Sequence, residues 1–235
     1  MMNPKFVKPV CKICIIGLLS GIWSGLPAQP FSEPAGILKM VRSGLESIEN
    51  YSVTVTVSAD IPNLRMPDKE LRLFYTKPDK FHVETDGFAM LPRIGLAPSQ
   101  IEELTEKSTI ELESQPGQNE DGVYILRLQP LEKGSKMTTT LWINPQRWSL
   151  DKIVMRRPDI VETMITIQYR QYEKFWLPET TIVDLRMQKP IPEMQRPSIE
   201  SPVGYFDGRT GGEPVTGRIT IGFSEYRVNR DIDSK

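Results

Sequence analysis

The chain has 235 residues, 39% of them hydrophobic and 25% charged, which excludes a polytopic membrane protein and a fully disordered chain and leaves room for one domain or two small ones. Lys and Arg total 29 against 30 acids, a formal charge of -1, so no basic surplus invites nucleic acid. One histidine (His82) and two cysteines (Cys11, Cys14) leave almost no material for His/Cys metal clusters, Cys/His dyads or paired CxxC zinc sites.

Residues 1–12 carry Lys5, Lys8 and Lys12 and no acid, an apolar run follows over 13–26, and Pro27-Ala28-Gln29 forms the exit. A basic start, a short apolar run and a small residue before a polar exit describe a secretory signal peptide, and the run is shorter than the roughly 20 residues of a spanning helix. Cleavage after Ala28 is expected, with residues 29–235 as a single domain. It removes the three lysines and both cysteines and shifts the formal charge from -1 to -4. Neither cysteine follows the apolar run, where a lipid anchor would need one. A periplasmic or secreted protein without disulfides is expected, and its core must supply its stability.

Ser32 offers a side-chain oxygen to free amides, Glu33 suits the positive end of a helix, and Pro34 fits a first turn. Ile37, Leu38, Val41, Leu45 and Ile48 then recur with helical period, predicting one amphipathic helix of about four turns that ends at Asn50 and needs a sheet to pack on. From Tyr51 the period becomes two: Tyr51, Val53, Val55 and Val57 alternate with Ser52, Thr54, Thr56 and Ser58. Leu71, Leu73 and Tyr75 repeat the alternation, Lys77-Pro78-Asp79 turns the chain, and Phe81 and Val83 follow before Thr85-Asp86-Gly87.

Ser99-Gln100-Ile101-Glu102 fits a capping box and predicts a short helix with Ile101 and Leu104 on one face. Further strand-like segments recur at 124–128, 137–143, 150–156, 161–170, 180–187 and 218–228. About nine strands joined mostly by short turns imply antiparallel pairing. The segment 188–217 is different: five prolines and five glycines without periodicity predict a long loop, either mobile or a lid over a cavity.

Catalytic chemistry finds little material. His82 lies on a strand facing opposite to Phe81 and Val83, and no GxSxG elbow supplies an activated serine. Glu102-Glu103, Glu111 with Glu113, and Glu120-Asp121 read as solvated acids of a short exposed helix or polar turns, and the glycines of 204–217 lack the Lys-Ser/Thr of a phosphate loop. No catalytic residue, metal or cofactor is expected. A strongly curved sheet wrapped around a helix would leave an apolar interior, either holding a ligand or packed solid, which periodicity does not distinguish.

The order of these pieces resembles the LolA-like superfamily of periplasmic carriers and outer-membrane lipoprotein-sorting proteins. The resemblance runs from about Pro34 to Asn229. It rests on the helix entering a strand, the hairpin Tyr75-Thr76-Lys77-Pro78-Asp79-Lys80-Phe81, Asp86-Gly87, Leu141-Trp142-Ile143-Asn144-Pro145, Trp176-Leu177-Pro178 and Phe223-Ser224-Glu225-Tyr226-Arg227-Val228-Asn229. It implies a mainly β fold with few helices: an unclosed, strongly curved antiparallel β-barrel, with helices in or over the concave face. It also implies a carrier that shelters acyl chains of lipoproteins or other lipids, acts as a monomer, and exchanges cargo with envelope membrane proteins.

If one alternating face lines the cavity, Val53, Val55, Leu73, Phe81, Leu126, Leu141, Ile165 and Ile167 are the acyl-binding candidates. Lys77 stands where the bacterial carrier has an arginine implicated in lid closure; it keeps the charge without the planar fork, and is the candidate lid contact. Residues 88–93 replace an aromatic-rich strand, and the Pro/Gly segment is an insertion; these departures point to a distant branch. The same fold serves in periplasmic anti-sigma regulators that bind a membrane partner, the alternative function.

Overall fold

The computed structural model describes residues 33–62, 67–78, 80–84, 101–102, 105–157, 161–187 and 215–230. The expected signal peptide, Ser32, Asp79, the segment 85–100, Leu104 and residues 188–214 of the Pro/Gly segment lie outside them.

Helix α1 spans Pro34–Glu46 with Glu33 at its N-cap and Pro34 in its first turn. The Glu33 carbonyl accepts from the amides of Gly36 (3.1 Å) and Ile37 (3.3 Å). Its stripe of Ile37, Leu38 and Val41 is buried. It ends at Glu46 rather than Asn50, because Asn50 is already paired as the first residue of a strand.

Ten strands follow: β1 (Asn50–Asp60), β2 (Lys69–Thr76), β3 (Lys80–Glu84), β4 (Ser108–Ser114), β5 (Tyr124–Pro130), β6 (Thr138–Asn144), β7 (Ser149–Arg157), β8 (Val161–Tyr172), β9 (Phe175–Met187) and β10 (Val215–Val228). The tenth, unforeseen in sequence, is β4. Ile110 and Leu112 turn inward while Thr109, Glu111 and Glu113 are exposed, so these two acids stand on a strand and not in a helix or turn. The charged residues masked an apolar alternation of only two members. Strand β10 begins at Val215, inside the segment read as loop.

All ten strands form one antiparallel sheet in the order β3-β2-β1-β10-β9-β8-β7-β6-β5-β4. The edge strands β3 and β4 do not pair with each other, so the barrel is unclosed. A right-handed twist of roughly 20–25° between neighbours accumulates across such a sheet and curls it. Helix α1 lies on the concave side against β4, β7 and β9.

The inward residues separate into two clusters. One, around β1, β2 and β10, is filled by its own rings: Tyr51 stacks on Tyr75 at 5.1 Å between centroids, and Tyr172 meets Tyr226 at 4.8 Å. The other, from β5 to β9, is covered by Ile37, Leu38 and Val41 of α1. A register shift opposite Ser52–Thr54 makes Glu225 an extra residue of β10 (φ 55°). The Thr54 hydroxyl bonds its carboxylate at 3.1 Å, and the shift carries Tyr226 inward beside Tyr51.

Burial pushes the Tyr51 phenol well above its ordinary value, with neighbouring Tyr75 adding to the shift; burial moves Tyr226 the same way. A raised folded-state value favours the neutral ring, so this stability is fully present below the unfolded value of about 10 and is lost as pH climbs through the higher folded values. The urea midpoint is therefore expected to hold steady up to about pH 9 and fall above about 10, with the last of the phenolate absorbance appearing together with the loss of far-ultraviolet circular dichroism. Phenolate signal from all seven tyrosines in a still-folded protein would contradict the buried cluster.

Candidate functional site at one end of the barrel

The two ends of the sheet are unlike. At one, the odd-numbered strands begin and the even-numbered strands finish. The four register shifts among the described residues lie toward this end, opposite Ser52–Thr54, Leu112–Ser114, Trp142–Ile143 and Gln168–Tyr169. So do the four described non-glycine residues with left-handed backbone: Trp148 (φ 51°), Glu173 (55°), Glu225 (55°) and Asn229 (51°). Bulges bend strands and re-aim side chains, and a bulky residue in the left-handed region costs about 1–3 kcal/mol, so both concentrate where geometry serves something other than the ladder.

The C-terminal turn of α1 is held at this end. Lys77 Nζ donates to the Glu46 carbonyl (2.8 Å) and pairs with the Glu49 carboxylate (3.0 Å). A cation here complements the negative end of the helix. From the other side, Asn229 Nδ2 donates to the Ser47 carbonyl (2.9 Å) while its Oδ1 accepts from the Glu49 amide (2.8 Å). Arg42 of α1 also reaches Glu102 at 2.5 Å. These polar ties are exposed or partly so.

Beside them a cavity of about 120 Å³ opens between α1 and the β6–β7 and β8–β9 hairpins. The β6–β7 turn builds its floor: Asn144 Oδ1 accepts from the Gln146 amide (2.9 Å), and the chain then reverses through Trp148. Arg147 donates through Nη2 to Asp151 (2.5 Å) and through Nε to the Ser149 hydroxyl (2.7 Å), which itself reaches Asp151 at 2.7 Å. The guanidinium faces the rings of Tyr169 (5.7 Å) and Trp176 (5.9 Å). Tyr169 is anchored by its hydroxyl on the Leu150 carbonyl at 3.1 Å; burial raises its phenol well above the ordinary value, with Asp151 adding to the shift.

Larger cavities lie on the outer face. One of about 470 Å³ is lined by Asp60, Glu162, Asp184, Arg186 and Arg218 at the opposite end. Its carboxylates are largely paired already, Asp184 with Arg218 (2.7 Å) and Glu162 with Arg156 (2.9 Å). A second, of about 350 Å³, is bordered by Thr56, Ser58, Thr180 and Thr220.

Each residue singled out in sequence can now be placed. Val53, Val55 and Leu73 are buried in the aromatic cluster, with Phe81 half-buried against it. Leu126, Leu141, Ile165 and Ile167 are buried beneath α1. Lys77 touches the end of α1. His82 is exposed, with Nε2 4.0 Å from Glu84 Oε1 and its ring against Phe74. Glu113 pairs with Arg127 at 2.5 Å. Among the described residues no group of three or more His, Cys, Asp or Glu is placed to hold a metal ion, and no helix is long and apolar enough to cross a membrane.

Sequence reasoning missed Arg147, Trp148, Tyr169, Lys174, Trp176 and Asn229. A signal existed, because two of the four tryptophans, Trp148 and Trp176, stand in or beside hairpin turns where large rings are not needed for packing. The segments carrying the family resemblance, around Lys77, Asn144-Pro145, Trp176-Leu177-Pro178 and Tyr226–Asn229, also meet at this end.

No protein-family model matches the sequence, and no curated protein matches it. Among solved structures, a LolA superfamily protein from Nitrosomonas europaea superposes with a TM-score of 0.50 at 11% identity, covering 84% of this chain and 94% of that one. A DUF1329 family protein from Desulfovibrio piger follows at 0.49 and 10%, covering 85% and 94%. MucB in complex with MucA(peri) gives 0.23 and 10%, covering 83% and 98%, too low a score to bear on the fold. The fold of this chain is LolA-like.

If Lys77 and Asn229 hold α1 in place, Lys77→Met is expected to speed amide exchange across residues 37–41 several-fold. Global urea stability should fall by no more than about 1 kcal/mol, since the pair is exposed. Unchanged exchange would show that the apolar stripe alone holds the helix.

Proposed function

We propose that this protein is an exported carrier that shelters acyl chains of lipids or lipoproteins on the concave face of its sheet, with α1 as the element that yields to them. The observation that carries this is the covering of that face. Among the described residues, half of it, including Leu126, Leu141, Ile165 and Ile167, is covered by α1 together with Ile101, and α1 is fixed at its end by exposed polar ties. Val53, Val55, Leu73 and Phe81 form the ring-packed flank of the same face.

The magnitudes favour exchange. Burying Ile37, Leu38 and Val41 stabilises α1 on the sheet by about 1.5–3 kcal/mol per side chain, in all about 5–9 kcal/mol. An acyl chain contributes about 0.8 kcal/mol per buried methylene, so about fourteen methylenes offer roughly 11 kcal/mol. The interior cavity of about 120 Å³ is well short of the roughly 300–1,000 Å³ of a typical ligand pocket, so a chain enters only where α1 leaves. The signal-peptide pattern supports delivery to the periplasm, where cargo would pass between envelope membrane proteins. The reading needs no catalytic residue.

The test is to isolate the processed protein from cells, extract it, and identify acyl lipids by mass spectrometry, alongside titration with a fluorescent fatty acid. Bound lipid and saturable binding are expected. Because the helix and the chain compete for one surface, Lys77→Met should tighten binding about two- to five-fold, by destabilising the closed form. Absence of both lipid and binding sinks the carrier, and weaker binding by Lys77→Met sinks the competition.

A further inference from the structure

The cavity of about 120 Å³ between α1 and the hairpins has a chemistry of its own, different from the hydrocarbon-like face beneath the helix. Its wall combines two cations, Arg147 and Lys174, with the rings of Trp148, Tyr169 and Trp176. Resting on the carrier reading above, we infer that the hairpin wall of this cavity, which stays in place when α1 leaves, receives the anionic head, a carboxylate or phosphate, of the acyl ligand whose chain takes the place of α1.

Three features support an oxygen anion here. Arg147 is oriented before any ligand arrives: Asp151 and Ser149 hold its Nη2 and Nε, and the rings of Tyr169 and Trp176 flank it. Its other amino group, Nη1, has no hydrogen-bond partner among the described residues, and a guanidinium fixed in this way presents that edge to an incoming oxygen with little further ordering. Lys174, on the β8–β9 hairpin, has no carboxylate partner among the described residues and rests its ammonium over the Phe175 ring at 5.2 Å. Asp151 offsets one of the two cations, so the pocket keeps about one positive charge, enough for a singly charged head.

The other features concern shape and access. Trp176 is 41% exposed at the rim, where an amphipathic ring suits the boundary between headgroup and water. Trp148 is held with φ 51°, a conformation that a tryptophan does not adopt without compensation, and its ring lies against Tyr124 at 5.8 Å. The hairpin wall adjoins the face that α1 covers: Val41 borders the cavity and belongs to the buried stripe, so a head on this wall leaves its chain at the surface that α1 vacates.

The inference is tested with two probes of equal chain length, a fluorescent polyene fatty acid and its methyl ester, titrated into the full processed protein at low salt. The acid is expected to bind about tenfold more tightly than the ester. Lys174→Glu, on an exposed hairpin, should weaken the acid and leave the ester within about twofold, lowering the ratio to near one. Lys174→Met, which removes the charge without reversing it, should lower the same ratio by a smaller factor; unchanged thermal midpoints for both variants show that the fold is intact. Inorganic phosphate, added as competitor, should weaken the acid and leave the ester unaffected. Equal affinity for acid and ester in the parent protein, or a ratio unmoved by both substitutions, overturns the headgroup site while leaving the carrier standing. Failure of both probes to bind overturns the carrier and this inference together.

Discussion

Ten antiparallel strands that curl without closing leave one apolar face to be covered, and among the described residues the stripe of α1, joined by Ile101, meets much of that requirement. Ile37, Leu38 and Val41 lie on the β5 to β9 half of the concave face, while the β1, β2 and β10 half is filled from within by stacked tyrosines and phenylalanines. The rest of the architecture follows from this division. A half packed with its own rings is rigid, because interdigitated aromatics leave no mobile element. A half covered by a helix of 13 residues can be uncovered without breaking any strand pairing, since α1 contributes no bond to the sheet ladder.

The polar contacts fall on the mobile side of that division. Lys77, Asn229 and Arg42 all act on α1 or its exit into β1, and each is accessible to solvent, where ion pairs and hydrogen bonds contribute modestly. Such ties determine where the helix sits and leave most of its docking energy to apolar contact. The register shifts and left-handed residues gather at the same end, bending the strands that surround the helix terminus. Trp148, Glu173 and Asn229 occupy connections or a strand's exit there, and the local cost of their backbone is sustained by rings and hydrogen bonds from neighbouring elements.

The fold was legible to the extent that periodicity was clean. Val53, Val55 and Val57 alternate with hydroxyl residues, so β1 and its inward face followed directly, and the same held for Leu71, Leu73 and Tyr75. Strand β4 was not legible, because Ile110 and Leu112 are only two apolar positions among acids and take their meaning from pairing with Leu128 and Leu126 on β5. The end of α1 was misplaced for a related reason. Ile48 continues the helical spacing, yet it is buried in the aromatic cluster just ahead of β1, where strand pairing from Asn50 outweighs helical propensity.

Sequence by itself determined most of the elements, the inward faces of the cleanly alternating strands and the scarcity of reactive groups, since each depends on residue type and on spacing over a few neighbours. Tertiary structure alone decided which residues meet at the mouth of the barrel. Arg147, Tyr169, Lys174 and Trp176 come from two hairpin turns and the ends of two strands and meet α1 only after the sheet curls, and Asn229 reaches Ser47 across 182 positions of sequence. No local pattern encodes such a meeting, because it is produced by accumulated twist and by bulges whose effect appears only when the strands are paired.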